Sequence, residues 1–216
     1  IGMGLRRFTS SICVTRTSQV PMADFSSARK AMVDNQIATS GVTNSRLLSA
    51  LRRVPREIFL PEDRAGLAYT DAHHPFGHGR FLSAPAVFAR LVQLAGITKT
   101  DRVLDCWPST GYSAAVLAEL ASEVTAIEPD AALAATARSN LARLGIANTT
   151  IIEGQVKAPS VSSWDVIMVE GALSQSPDDL LPGLAMGGRL VCLLRNGPVG
   201  TATIYTRSPQ CITAQS

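Results

Sequence analysis

A glycine at position 111 and an acid at position 128 are spaced like the groups that hold a nucleoside cofactor in α/β proteins. Asp105 lies at the end of one apolar segment, Gly111 opens an Ala-rich segment, and Glu128 ends the next apolar segment. A strand, a tight loop and a helix in this order bring a ligand against backbone N–H groups and a helix N-terminus. An acid at the end of the second strand then accepts hydrogen bonds from ribose hydroxyls. The alternative for Glu128 is an exposed acid at a strand end.

The loop itself lacks most of the glycines that such a site uses. Glycine permits positive φ and lets a ligand approach the backbone closely. Between Cys106 and Tyr112 only Gly111 is present, while Trp107 and Pro108 occupy the turn. The pattern therefore predicts a cofactor-type fold and leaves open whether the cofactor binds.

Bulk composition predicts a folded protein with no nucleic-acid partner and no direct membrane insertion. The 216 residues are 46% hydrophobic and 17% charged, which is enough for a sizeable core. Three of the 20 Lys and Arg residues precede Met22 in a segment without Asp or Glu, and the rest of the chain is neutral. Nucleic-acid binding needs a basic surface, and a membrane span needs ~20 apolar residues. The sequence contains neither.

Residues 1–21 are predicted to be an extension or targeting segment, because they are rich in Ser, Thr and Arg and contain no acid. If Met22 is the true start, the protein is cytoplasmic. If the segment is a transit peptide, the protein belongs to the mitochondrial matrix. We take the first as the prediction.

No metal site or disulfide framework is expected. The four cysteines show no C-x-x-C spacing, and the three histidines, which all lie between 73 and 78, form no helical i, i+4 pair. Cys106 and Cys192 lie in apolar runs, so both are predicted to be small core residues.

Hydrophobic periodicity predicts helices first and a strand–helix alternation afterwards. Helical spacing runs from Asp24 to about Val54 with a break at Gly41, and Ser83 is a candidate cap for a helix that begins near Pro85. Residues 69–82 have no periodicity and are predicted to form an irregular loop. Strands are expected at Arg102–Cys106, Glu123–Ile127, Thr149–Glu153, Asp165–Val169 and Arg189–Leu194, with helices at 111–121, 130–143 and 177–184.

This order predicts an α/β fold with a doubly wound, mostly parallel sheet and N-terminal helices. Thr201–Thr206 are expected to add an antiparallel edge strand.

Six short motifs, taken in order, resemble the protein-L-isoaspartate O-methyltransferases, which use S-adenosylmethionine and methylate the stray carboxylate of isoaspartyl residues in proteins. The resemblance covers about Met32 to Arg207. It implies a Rossmann-like methyltransferase body at 101–216, with an N-terminal helical and substrate-loop region at 22–100 packed on it. Family members usually continue past Arg207 with a strand that completes the sheet. Because Pro209–Ser216 are polar, we expect the sheet to be unfinished there and a partner protein to cover its open edge. The motifs are Met32-Val33-Asp34-Asn35-Gln36-Ile37, Val54-Pro55-Arg56-Glu57-Ile58-Phe59, Ala68-Tyr69-Thr70-Asp71, Ser83-Ala84-Pro85, Thr110-Gly111-Tyr112-Ser113-Ala114-Ala115-Val116-Leu117-Ala118 and Gly187-Gly188-Arg189-Leu190-Val191.

The positions that bind the methyl donor in this family are altered. The family's loop is similar to G-x-G-x-G, and Trp107, Ser109 and Gly111 stand at its three glycine positions. A β-carbon in left-handed backbone costs about 1–2 kcal/mol. After the third strand, Gln155 replaces the aspartate that receives the adenine amino group, so a charge-assisted bond becomes a neutral one. The resemblance assigns donor binding to Asp105, Gly111, Glu128 and Gln155.

The family's substrate loop, similar to P-I-G-x-G-Q-T-I-S-x-P, spans residues 75–85 here. Ser83 keeps the hydroxyl that lies near the substrate carboxylate in the family, so it is the candidate catalytic and substrate-binding residue. Arg80 replaces an amide and is expected to bind the substrate carboxylate, whereas Phe81 replaces a hydroxyl and removes a hydrogen bond. The alternative for Ser83 is a helix cap alone.

Two functions follow from these observations. The altered loop, the substitutions at Gln155 and Phe81, and the unfinished sheet favour an accessory subunit with little or no activity, which binds a protein partner and uses no cofactor. The retained acids, Gly111 and Ser83 favour an active S-adenosylmethionine-dependent methyltransferase whose partner is an isoaspartyl-containing protein. We predict the first and keep the second as the alternative.

Overall fold

The computed structural model describes residues 24–77, 79–157 and 163–216. The predicted extension at residues 1–21 and His78 lie outside these ranges. None of the helices in the described part of the chain is long and apolar enough to cross a bilayer.

The helices begin where the sequence supplies capping side chains. Asp24, Asn44 and Asp130 each accept a hydrogen bond from a backbone N–H group in the first turn that follows. The first helical run ends at Gly41, whose φ is 92°, at the predicted break. The α-helices are α1 (Phe25–Met32), α2 (Ser45–Arg53), α3 (Pro85–Ala95), α4 (Tyr112–Ala118) and α5 (Ala131–Arg143), with short helical segments at Val33–Ile37, Ala38–Ser40, Arg56–Phe59, Glu62–Leu67 and Leu181–Gly183.

A seven-stranded sheet forms the centre of the fold, in the order β5-β4-β3-β6-β7-β8-β9. The first five strands in this order run parallel, and β8 and β9 are antiparallel additions. The predicted α/β, doubly wound and mostly parallel sheet is therefore confirmed. The strands are β1 (His74–Gly77), β2 (Arg80–Leu82), β3 (Arg102–Cys106), β4 (Glu123–Glu128), β5 (Thr149–Glu153), β6 (Trp164–Leu173), β7 (Leu184–Asn196), β8 (Val199–Arg207) and β9 (Ile212–Gln215).

The C-terminal side of the sheet differs from the prediction. The predicted edge strand lies within β8, but β9 then pairs with it over Ile212–Gln215, so the expectation of an unfinished sheet is wrong. Ile212 and Thr213 are β-branched and suit a strand although the segment is polar overall. The predicted helix at 177–184 is also wrong, because Pro182 removes a helical N–H group and only one turn forms there.

The predicted irregular loop at 69–82 contains a small antiparallel hairpin of β1 and β2. Gly77 and Gly79 have φ of 93° and 73° and allow the reversal. The prediction of Ser83 as a helix cap is wrong, since Ala84 precedes the first turn of α3 and no side chain caps it. Pro85 at the first position of α3 needs no N–H partner.

The register of the parallel strands brings the candidate residues to one edge. Cys106 at the end of β3 pairs with Ile127 of β4 and with Val169 of β6. The next residue of each chain segment therefore lies at the same level of the sheet: Trp107 directly after β3, Glu128 as the last residue of β4, and Glu170 within β6. This edge is where open α/β sheets bind their ligands.

Candidate active site

The loop after β3 has the backbone of a glycine-rich loop although two of its residues carry side chains. The φ angles are 64° at Trp107, 55° at Ser109 and 94° at Gly111. Left-handed backbone at alternate residues is the conformation for which glycine is suited, and a Cβ there adds strain of about 1–2 kcal/mol. The two substitutions have therefore changed the side chains in the loop while the left-handed backbone remains.

Gly111 is also needed for packing. A Cβ at this position would lie 3.1 Å from the Cβ atom of Ala137 in α5. Beside it, the carbonyl oxygen of Thr110 accepts a hydrogen bond from Asn140 at 3.0 Å, and the Thr110 hydroxyl donates to the carbonyl oxygen of Phe59 at 2.7 Å. These contacts hold the loop between α5 and the N-terminal region.

Glu128 lies beneath this loop and is fully buried, so the alternative of an exposed acid is wrong. Its Oε2 atom accepts hydrogen bonds from the Ser109 backbone N–H at 2.8 Å and from Arg80 Nη2 at 2.6 Å. Its Oε1 atom accepts from the Asp130 N–H at 3.1 Å. The carboxylate is therefore in the predicted position at the end of β4, and Arg80 is its ion-pair partner.

Arg80 contacts three acceptors through a single nitrogen. Besides Glu128, Nη2 lies 2.9 Å from the carbonyl oxygen of Trp107 and 3.2 Å from Ser109 Oγ. The side chain is 21% exposed. Arg80, the residue predicted to contact the substrate carboxylate, thus lies against Glu128, the acid predicted to contact the donor. Its role toward the substrate stays a prediction.

Ser83 lies next to a buried arginine that the sequence analysis assigned no role. The Ser83 carbonyl oxygen accepts from Arg56 Nη2 at 2.5 Å, and Arg56 Nε donates to the carbonyl oxygen of Ala68 at 2.7 Å. The guanidinium carbon is 4.8 Å from the centroid of the Tyr112 ring. Burial lowers the pKa of Arg56. The available signal was an arginine inside the motif Val54–Phe59.

Two further acids face this region, the buried Asp105 and the half-buried Glu170. Asp105 is fully buried and accepts a hydrogen bond from the Ser113 hydroxyl at 2.7 Å, and burial raises the pKa of Asp105 to about 7. Glu170 in β6 has a buried Oε1 atom with no hydrogen-bond partner in the described chain. Burial raises the pKa of Glu170 well above its usual range, and the nearby Asp105 raises it further. Glu170 escaped notice although it follows the apolar run Val166–Val169.

Gln155 makes no side-chain hydrogen bond to the other candidate residues in the described part of the chain. It follows β5 and is exposed, while the backbone N–H of Gly154 donates to the carbonyl oxygen of Glu128 at 3.1 Å. The chain therefore passes close to Glu128 at this point. The role of Gln155 in donor binding stays a prediction.

The cavity between these groups is small. It measures about 10 Å³, close to the space that one water molecule needs, and its lining includes Arg56, Ser83, Trp107, Ser109 and Glu170. An acceptor side chain and a methyl donor need far more room. This cavity therefore has room for neither, and its lining does not include Arg80 or Glu128.

Comparison with known proteins settles the family. The model for protein-L-isoaspartate(D-aspartate) O-methyltransferases matches residues 27–208. The chain belongs to the protein-L-isoaspartate O-methyltransferase family. It is 41% identical over 169 residues to protein-L-isoaspartate O-methyltransferase 1 of Rhodopseudomonas palustris strain HaA2, covering 77% of this chain and 69% of the relative. It is 38% identical over 189 residues to the protein-L-isoaspartate O-methyltransferase of Methylorubrum extorquens strain PA1, covering 87% and 82%.

Solved structures show the same fold. A crystal structure from Plasmodium falciparum, named as a protein-L-isoaspartate O-methyltransferase in complex with S-adenosyl-L-homocysteine, superposes with a TM-score of 0.73. It is 21% identical and covers 86% of this chain and 92% of its own. The Rossmann-like methyltransferase fold that the motifs implied is thus confirmed.

The residues present can be tested against the S-adenosylmethionine that this fold implies. The left-handed loop backbone and the buried Glu128 behind it fit a nucleoside donor. The guanidinium of Arg80 bonds the Oε2 atom of the same carboxylate. The site therefore fits the donor on the condition that Arg80 releases Glu128.

Proposed function

We propose that this chain is an S-adenosylmethionine-dependent carboxyl methyltransferase that acts on isoaspartyl residues of proteins. The observation that carries the proposal is the left-handed backbone at Trp107, Ser109 and Gly111, with Glu128 bonded to the same loop through Ser109. Strained residues of this kind cluster at ligand-binding and active sites, so the two left-handed residues support a loop shaped for the donor. The names of the relatives and the S-adenosyl-L-homocysteine complex of the Plasmodium protein support the same activity.

Each candidate residue has a part in this proposal. Glu128 accepts hydrogen bonds from the donor's ribose, and Gln155 with the N-terminus of α4 lies around its adenosyl group. Ser83 donates to the acceptor carboxylate and orients one of its oxygens. Asp105 keeps Ser113 and the start of α4 in place through the bond to the Ser113 hydroxyl.

The chemistry asks little of these side chains beyond position. When bound, S-adenosylmethionine supplies an activated methyl group, whose C–S bond breaks as a C–O bond forms to the carboxylate, leaving a methyl ester and the neutral thioether. The acceptor is already ionised at neutral pH, so the protein need not remove a proton. Alignment of the two partners is the main contribution that remains.

The test is transfer of a labelled methyl group to a peptide with one isoaspartyl residue. The matched control peptide has the same sequence with an ordinary aspartyl residue. We expect base-labile methyl ester on the isoaspartyl peptide alone. Ser83→Ala should lower kcat/KM about ten- to a hundredfold, the range for loss of one hydrogen bond to a charged group. Ser45→Ala, exposed at the start of α2, serves as the control variant and should have no effect.

A non-catalytic accessory role is the second candidate. The small cavity and the ion pair between Arg80 and Glu128 favour it. No methyl transfer to either peptide, together with no binding of S-adenosylhomocysteine below about 1 mM, would replace the first proposal with this one.

A further inference from the structure

We propose that Arg80 competes with the methyl donor for Glu128, and that the carboxylate of the substrate draws Arg80 away. Donor and isoaspartyl peptide would then bind with positive cooperativity. This inference rests on the proposed function and adds to it how the site recognises its two ligands.

The competition follows from the bonds that Glu128 already makes. Its Oε2 atom accepts from both Arg80 Nη2 and the Ser109 N–H, and a carboxylate oxygen has about two lone-pair positions. A ribose hydroxyl that donates to Oε2 therefore has to replace one of them, whereas Oε1 accepts only from the Asp130 N–H among the described residues and leaves a position for the second hydroxyl. The Ser109 N–H belongs to the backbone of the loop, which cannot move without the loop, so the side chain of Arg80 is the group that leaves.

The ion pair between Arg80 and Glu128 has a geometry that allows Arg80 to exchange Glu128 for another acceptor. All three of its acceptors are reached by Nη2, which has two hydrogens, so at least one bond is shared. The pair with Glu128 is not the two-pronged arrangement that makes arginine–carboxylate pairs strong. The side chain is also 21% exposed, so solvent screens the pair on one side.

The segment that carries Arg80 also lies beside the acceptor position. Arg80 and Phe81 belong to β2, which pairs with β1 in a hairpin of two short strands. A two-stranded hairpin is only marginally stable by itself. Phe81 is 51% exposed, and Ser83 lines the cavity two residues later. A guanidinium in this segment can therefore reach a second carboxylate, and the one that the reaction brings is that of the substrate.

The experiment is calorimetric titration of S-adenosylhomocysteine into the wild-type chain, Arg80→Ala and Arg80→Gln. Each protein is titrated with and without the saturating isoaspartyl peptide. Arg90→Ala, which removes an exposed positive charge from α3, is the matched control. Circular dichroism and urea unfolding show whether each variant is folded.

We expect both Arg80 variants to bind S-adenosylhomocysteine about tenfold more tightly than the wild type, as for one charge-assisted hydrogen bond, and Arg90→Ala to bind like the wild type. The peptide should tighten binding to the wild type and to Arg90→Ala, but not to the Arg80 variants. By linkage, S-adenosylhomocysteine must tighten peptide binding by the same factor.

The possible failures are distinguishable. Equal or weaker binding of S-adenosylhomocysteine by both Arg80 variants overturns the competition while the proposed function stands. If the Arg80 variants bind S-adenosylhomocysteine more tightly but the peptide does not change its binding to the wild type, the proposal that the substrate carboxylate draws Arg80 away is overturned. If the Arg80 variants bind S-adenosylhomocysteine while the wild type and Arg90→Ala do not, the competition is supported and the proposed function of the wild-type chain is overturned. Absence of binding in every protein overturns both.

Discussion

The left-handed backbone at Ser109 makes a prediction about the sign of a stability difference. Its φ of 55° is costly for any residue with a Cβ, by about 1–2 kcal/mol relative to glycine. Glycine loses about 0.5–1 kcal/mol through the entropy of the unfolded chain. Ser109→Gly should therefore be more stable than Ser109→Ala by about 0.5–1 kcal/mol. Both variants lose the hydroxyl that accepts from Arg80, so that loss cancels in the comparison.

The matched control is the same pair of substitutions at Ser113, which lies in α4 and whose hydroxyl also has a hydrogen bond. There the order should be reversed, since alanine in a helix is more stable than glycine by about 1 kcal/mol. Urea unfolding followed by circular dichroism measures all four variants. With a slope of ~2 kcal/mol per M, the Ser109 pair should differ by about 0.3 M in midpoint.

The reasoning is refuted if Ser109→Ala is as stable as Ser109→Gly while the Ser113 pair shows the helical order. The loop backbone at Ser109 would then lie outside the left-handed region. The claim that the loop keeps a glycine-type conformation would lose its basis, and the proposed function would lose the observation that carries it.

Three further outcomes are expected. Gly111→Ala should lower the free energy of unfolding by about 1–3 kcal/mol, because φ is 94° and the new Cβ would crowd Ala137, and urea unfolding measures this loss. Arg56→Met should cost about 3 kcal/mol or more in the same assay, since two buried carbonyl oxygens lose their donor. Burial raises the pKa of Asp105 to about 7, so the folded state holds a proton that the unfolded state releases from about pH 4 upward. Stability should fall as pH rises from about 4 to about 7, and Asp105→Asn should remove this part of the pH dependence, as seen by unfolding at pH 4–8.

The parallel strands were predictable from the sequence because each is a short apolar run next to a helical segment. Arg102–Cys106 and Thr149–Glu153 begin and end where predicted. The segment Ile212–Gln215 was not predictable in this way, since it is exposed and has no apolar alternation. It becomes a strand because β8 offers free backbone groups along its edge.

The candidate site also contains residues whose placement was predictable from the sequence and contacts that were not. The placement of Asp105, Gly111 and Glu128 depends on the local order of strand, loop and helix, which the sequence contains. The contact between Arg80 and Glu128 joins residues 48 positions apart, and Arg56 meets the carbonyl oxygen of Ser83 across 27 positions. Local patterns say nothing about such pairs.

The sequence alone therefore determined the family, the doubly wound sheet and the edge at which Asp105 and Glu128 meet, because these depend on periodicity, short motifs and chain order. Only the tertiary structure decided that Trp107 and Ser109 take up the glycine backbone instead of deforming the loop, and that Arg80 lies on Glu128. The physical reason is that strain at single residues is tolerated when surrounding contacts hold the backbone. The partner of a long charged side chain is likewise set by which opposite charge the fold brings within reach.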